Sequence, residues 1–204
     1  LAGALLLPGG QMPLNIFEPR YLAMVDNAMR TDRLIGMIQP ALRQDPTDSS
    51  VVEEPELCEV GCLGRITAHQ ETGDGRLMIG LSGICRYRLV EETEAKDGYR
   101  CAKIKPFARE LQSEDDGANV DRDALLDTFR NYLDANGMEA DWESITETDN
   151  DTLVTALCMM SPYGPAEKQA LLEAPDLKSR AETLIAITEI ELAKASNEAG
   201  SRLQ

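Results

Sequence analysis

The sequence predicts an α+β protein, with a β-rich half holding one embedded helix and a helical half after it. Three observations carry this. Short β-like runs separated by turn chemistry fill the chain to about Glu110. Capped, proline-punctuated segments with helical spacing fill the remainder. Charge divides near the same place: residues 1–109 hold 13 basic and 15 acidic groups, a net of −2, whereas residues 110–204 hold 7 and 21, a net of −14.

In the first half, Pro8-Gly-Gly10 turns the chain and Leu14–Phe17 reads as a short strand. Pro19 suits a first helical position, where its missing N–H costs nothing. Tyr21, Leu22, Val25, Ala28 and Met29 then form an apolar stripe. Leu34–Ile38 is an apolar strand ended by Pro40, and the polar run Gln44–Glu56 reads as a surface loop. Cys58–His69 and Arg76–Leu81 flank Thr72-Gly-Asp-Gly75, the turn of a hairpin. Gly80-Leu-Ser-Gly83 reads as a tight turn. It fails as a nucleophile elbow, because its second glycine is one position early and a strand follows. Ile84–Val90 alternates, with Cys85, Tyr87 and Leu89 on one face and Arg86 and Arg88 on the other. Asp97-Gly98 turns into a last strand, Tyr99–Phe107. Several short strands with regular turns favour a barrel or sandwich.

In the second half, Asp121 caps a helix with the stripe Leu125, Leu126, Phe129 and Leu133, stopped at Gly137. Asp141–Glu147 is a short helix, and Asp151–Met160 ends before Pro162. Ala166–Ala174 lies between Pro165 and Pro175. Asp176 caps a long helix through Ala195. The expected division is a β-rich subdomain over 1–112, a polar linker over 112–117 and a helical bundle over 118–204.

Composition narrows function. At 204 residues, roughly 70% of the unfolded chain's surface is buried on folding, enough for a core without disulfides or metals. The net charge of −16 opposes nucleic acid and anionic membranes, which require basic surfaces. No run is long and apolar enough to span a bilayer, and Leu1–Phe17 lacks the basic start of a signal peptide. The chain opens with Leu, so a preceding segment is expected. Cys58, Cys62, Cys85, Cys101 and Cys158 read as reduced structural thiols of a cytoplasmic protein, without the paired spacing of a zinc site.

Catalytic chemistry is poorly supplied. His69 is the single histidine and ends a strand beside a turn. No Gly-Lys pair exists, so a Walker A loop is absent. Ser161 and Lys168 match no dyad motif. The acidic runs Glu53-Glu54-Pro-Glu56 and Glu114-Asp-Asp116 read as solvated loops without EF-hand spacing. No catalytic residue, cofactor or metal site is expected.

The most distinctive stretch is Pro8-Gly-Gly-Gln-Met-Pro-Leu-Asn-Ile-Phe-Glu-Pro-Arg-Tyr21. It makes a strand-to-helix corner with Glu18 at the helix's positive end. Leu22-Ala-Met-Val25, Asp32-Arg-Leu-Ile-Gly36, Val60-Gly-Cys-Leu-Gly-Arg-Ile66 and Gly83-Ile-Cys-Arg-Tyr-Arg-Leu89 follow, then Tyr132-Leu-Asp-Ala-Asn-Gly137 and Pro165-Ala-Glu-Lys-Gln-Ala-Leu-Leu172. In this order, over nearly the whole chain, they resemble the N-terminal domain of the ATP-dependent Lon protease in its stand-alone bacterial relatives. One departure is at the start: the family opens with a strand before the Pro-Gly turn, and only Leu1–Leu7 precedes it here. The resemblance implies a PUA-like β pseudo-barrel followed by a helical bundle. It carries over no catalytic position, because the ATPase and Ser–Lys peptidase modules of Lon have no counterpart in these residues.

Three functions follow. The resemblance implies a non-catalytic module binding unfolded or extended polypeptide, acting with a protease in trans. Its contacts would be Phe17, Arg20 and Tyr21, while plain packing against the barrel is the expected role of Phe17. A PUA-like fold binding RNA would need a continuous basic patch of Arg65, Arg86, Arg88 and Arg100. A thiol-dependent enzyme or sensor would need a low-pKa thiol among Cys58, Cys62 and Cys85.

Overall fold

Strand alternation and tight turns build the first part of the chain as expected. The computed structural model describes residues 3–41, 55–111 and 119–201. Most of the Gln44–Glu56 loop, the whole 112–117 linker and the acidic residues at 53–54 and 114–116 lie outside these residues. The described β-rich part runs β1 Gln11–Ile16, α1 Pro19–Met29, β2 Leu34–Met37, β3 Val60–Glu71, β4 Leu77–Lys96 and β5 Tyr99–Pro106. All pairings are antiparallel, in the order β1-β4-β3-β2, with β5 also on β4.

The organising element is β4, a single strand of 20 residues where the sequence suggests two. Its first stretch, Leu77–Ser82, pairs with β1, and a later one, Tyr87–Lys96, with β5. Pairing with β3 runs from Leu77 to Arg88 and contains a register shift beside Gly64 and Gly83. The expected turn at Gly80–Gly83 is therefore a correction, since this tetrapeptide is continuous strand. Gly83 is glycine for close approach instead. A Cβ there would fall 1.9 Å from the Leu7 carbonyl oxygen. Its N–H donates to Gly10 O at 2.9 Å and its carbonyl accepts from Gly9 N at 3.1 Å. That contact lays Leu5, Leu6 and Leu7 into the core, where all three are buried. Residues 4–7 form no strand.

A second correction concerns Arg86, which alternation places on the solvent face. Its exposure is 4%. Its Nε donates to Glu110 Oε1 at 2.6 Å, its Nη1 to Leu172 O at 2.8 Å, and its guanidinium lies 5.2 Å from the Phe107 ring centroid. A buried guanidinium is tolerated only when its donors are satisfied in this way. The 3-10 turn Ala108–Leu111 supplies the Glu110 partner.

By its contacts the chain divides into two compact units: Leu1–Glu114 with Pro162–Leu172, and Asp115–Ser161 with Glu173–Gln204. The Pro162–Leu172 segment, which the sequence groups with the helices, thus clusters with the strands. It carries most of α5, Pro165–Glu173. Buried amides fix it there. Gln39 Nε2 donates to Pro165 O and to Gln169 Oε1, each at 3.2 Å, and Gln169 Nε2 donates to Val60 O at 3.1 Å.

The second unit holds α2 Arg122–Ala135, α3 Trp142–Glu147, α4 Asn150–Met160 and α6 Leu177–Ser201. Each begins at an aspartate cap. Asp121, Asp141, Asp149 and Asp176 accept the N–H of Ala124, Ser144, Thr152 and Ser179 respectively. Helix α2 ends as Gly137 predicts. With φ at +63°, Gly137 lets Met138 N reach Leu133 O and its own N reach Asp134 O. Arg122 donates to the Ile145 and Thr146 carbonyls at the end of α3. Both α2 and α4 pack on α6 around Leu125, Val154, Cys158 and Leu184, all fully buried.

Candidate functional site

The corner residues come first. Strand alternation buries Ile16 and so turns Phe17 outward. Phe17 is 60% exposed, with the Arg76 guanidinium 5.9 Å from its ring centroid. This corrects the expectation that it packs against the barrel. Glu18 stands at the cap position of α1 but caps no N–H with its side chain. It holds Arg20 instead, with Nε and Nη2 at 2.9 and 2.8 Å from Oε2. Arg20 also lies 4.6 Å from the ring centroid of the half-buried Tyr21. Phe17, Arg20 and Tyr21 thus share the strand-to-helix corner, with Arg20 engaged by Glu18 and Tyr21.

Concavity lies elsewhere in the same unit. A cleft of about 400 Å³ opens between α1, β2 and the β4–β5 hairpin. Such a volume is in the range of small-ligand and short-segment pockets. Met24 and Ala28 of α1, Leu34 and Ile35 of β2, and Leu63 of β3 line one side. Leu89, Cys101, Ala102 and Ile104 line the other. Polar groups sit among them: the Tyr87 hydroxyl, which donates to Met37 O at 3.3 Å, and the Tyr99 hydroxyl, which accepts from Asn27 Nδ2 at 3.2 Å. Burial pushes the Tyr87 phenol far up, with a smaller contribution from Cys62, so it stays a neutral donor. Glu92, Lys96 and Arg100 stand along the cleft, where Arg100 pairs with Glu92 and donates to Pro55 O.

Two strand edges border this cleft. Among the described residues β2 pairs only with β3, and β5 only with β4. Unpaired edges offer backbone donors and acceptors to an extended chain. None of Phe17, Arg20 and Tyr21 lines the cleft. Sequence reasoning missed it because its walls meet through contacts about 70 residues apart. The one local signal was the shared face of Tyr87 and Leu89.

The other two functions fare poorly. Arg86 is buried, Arg88 is bound to Glu59 at 2.5 Å, and Arg100 is bound to Glu92. With Arg65 they form no continuous basic surface. Among the thiols, Cys62 and Cys85 are buried. Burial, then the charge of Glu110, pushes the Cys85 thiol up, away from the reactive thiolate. Among the described residues no cluster of His, Cys, Asp and Glu could hold a metal ion, and no helix is long and apolar enough to cross a membrane.

Known proteins place this fold. A family model described as the ATP-dependent protease La (LON) substrate-binding domain matches residues 1–189. The chain belongs to that family. Lon protease 2 of Myxococcus xanthus is 26% identical over the whole chain and 25% of its own length. Lon protease of Parabacteroides distasonis is 29% identical over 92% of the chain and 23% of its own. The chain therefore spans about a quarter of the length of these curated relatives. Among solved structures, the Lon N-terminal domain protein from Xanthomonas campestris superposes with a TM-score of 0.59 at 22% identity, covering 90% of this chain and 92% of that one. The N-terminal domain of Mycobacterium avium complex Lon protease gives 0.58 at 17%, covering 93% and 95%. These two likenesses show the α+β fold, an antiparallel sheet with helices, as one shared with Lon N-terminal domains.

Proposed function

We infer that this Lon-type domain recognises polypeptide substrates and that an extended apolar segment docks in the α1–β2–β5 cleft. The observation that carries this is an apolar cleft bordered by two strand edges that pair with no further strand among the described residues, inside the unit that carries the strand-to-helix corner motif. An extended chain supplies what the site lacks: backbone groups for the edges and alternate apolar side chains for the floor. The cleft volume suits a few residues, and a wrapped longer segment would gain further contacts outside it. The chain contributes holding and no bond-breaking. It would present the segment, in the cytoplasm, to a protease module on the same chain or in trans.

The corner of Phe17, Arg20 and Tyr21 is a second contact surface under this reading, reached by residues flanking the docked segment. Tyrosine and arginine are favoured anchors for such contacts. Fluorescence anisotropy with a labelled, Leu- and Val-rich ten-residue peptide separates the two surfaces. Ala102→Trp fills the cleft and is expected to weaken binding at least tenfold. Arg20→Ala and Tyr21→Ala are expected to change it less than threefold. Loss confined to the corner variants moves the site there. No saturable binding by the folded wild-type domain removes polypeptide recognition.

A further inference from the structure

One wall of the cleft is built differently from the rest. β4 leaves β3 after Arg88, and from Glu91 to Lys96 it pairs, among the described residues, only with Tyr99–Lys103 of β5. A register shift falls at the branch point, between Leu89 and Glu91, leaving Val90 unpaired and 61% exposed. A bulge at the root of a two-stranded ribbon is a natural bending point. Within the ribbon, Arg100–Glu92 and Lys103–Glu91 pair across the strands, so those ion pairs travel with it if it moves. Its tip is fastened to the helix. Asn27 Nδ2 donates to Asp97 Oδ2 at 2.9 Å and to the Tyr99 hydroxyl at 3.2 Å, and the backbone of Gly98 lies against Arg20. The tip turn has φ of +49° at Asp97 and +83° at Gly98, the two-residue geometry that projects the Asp97 carboxylate beside the strands. Arg100 also donates to Pro55 O at 2.7 Å.

On the reading that the cleft receives polypeptide, we propose that the β4–β5 ribbon is a gate and Asn27 its latch. In the latched state seen here, Glu92, Lys96, Tyr99 and Cys101 of the ribbon line the cleft together with Met24 and Leu34. Release of Asn27 lets the ribbon bend at Val90, widen the cleft and admit a segment alongside the β5 edge. The competent state is then only part of the population. Apparent affinity is reduced by that fraction, and a weaker latch raises it. The occupant stays the extended apolar segment; the ribbon sets how readily it gains access.

The test uses the same labelled ten-residue peptide, followed by stopped-flow anisotropy. Asn27→Asp keeps the side-chain shape but opposes two carboxylates at the latch, and Asn27→Ala removes it. Both are expected to raise the association rate three- to tenfold. Hydrogen exchange of the Tyr99–Ala102 amides should quicken alongside. Arg20→Cys with Gly98→Cys makes the converse, since a Cβ on Gly98 lies 3.4 Å from that of Arg20, close to the disulfide separation of roughly 3.5–4.5 Å, and the strain of a cysteine at the φ of +83° is common to the oxidised and reduced forms compared. The oxidised form, its bond located by peptide mass mapping, should associate at least tenfold more slowly than the same protein reduced. If oxidised and reduced forms bind alike, the gate is overturned while recognition in the cleft stands. If the latch variants bind no faster while their ribbon amides exchange faster, the gate is likewise overturned. If wild type and every variant fail to bind, recognition itself falls and the gate with it.

Discussion

Gly83 and Arg86 lie three positions apart on one strand and fail in opposite ways when changed. Gly83→Ala would place a methyl 1.9 Å from the Leu7 carbonyl, which belongs to backbone and cannot swing aside. Overpacking costs about 1–3 kcal/mol, and more where backbone must give way, and a urea melt should show it as a lowered midpoint at similar slope. Arg86→Ala leaves the Glu110 carboxylate without its partner, and losing one half of such a pair costs about 3–5 kcal/mol. Arg86→Lys should recover little. The guanidinium serves Glu110 and Leu172 O with separate nitrogens, and a single ammonium cannot span both. Neither role was legible in the sequence. Gly80-Leu-Ser-Gly83 looks like turn chemistry, and Arg86 looks like the polar half of an alternating strand. Leu7 stands 76 positions from Gly83, and Glu110 and Leu172 stand 24 and 86 positions from Arg86, so no local pattern reports these partners.

At the scale of elements, local rules sufficed wherever both partners were close in sequence. The Asp121 and Asp176 caps, the glycine stop after α2, the proline start of α1 and the Asp97-Gly98 turn were readable for that reason. The caps make the helical unit acid-sensitive. Hydrogen bonds from backbone N–H groups, with the Ser144 hydroxyl foremost at Asp141, hold the Asp141, Asp149 and Asp176 carboxyls below their ordinary value of 3.8. A depressed folded pKa means the contribution is complete above 3.8 and is lost as pH falls through the folded value. The thermal midpoint should therefore drop as pH goes below about 4. Replacing the three with asparagine, which caps without titrating, should flatten that dependence in calorimetry between pH 5 and 2.5. An unchanged slope would assign the acid sensitivity to other carboxylates. The β4–β5 ribbon was half legible: its turn was clear, but its fastening to Asn27 was not, since that residue reads only as part of the α1 surface.

Across the whole molecule, charge and concavity together constrain the partner. The chain carries −16, and three of its four candidate RNA-binding arginines are buried or paired with carboxylates. A structured RNA should give no shift in a gel at 0.15 M salt, and saturable binding there would contradict the polypeptide reading. The family and the fold were legible from the motif around Phe17-Glu-Pro-Arg20, which spans one strand-to-helix corner. The cleft was not, because it is made by strands β2 and β5, which never pair with each other, and a helix laid beside them. The most direct test is a titration of the ¹⁵N-labelled domain with the unlabelled Leu- and Val-rich peptide, read as amide shifts. They are expected to cluster on Met24–Thr31, Leu34–Ile38 and Tyr99–Ile104. Shifts confined to Phe17–Tyr21, or spread without focus, would contradict the cleft as the place where substrate is held.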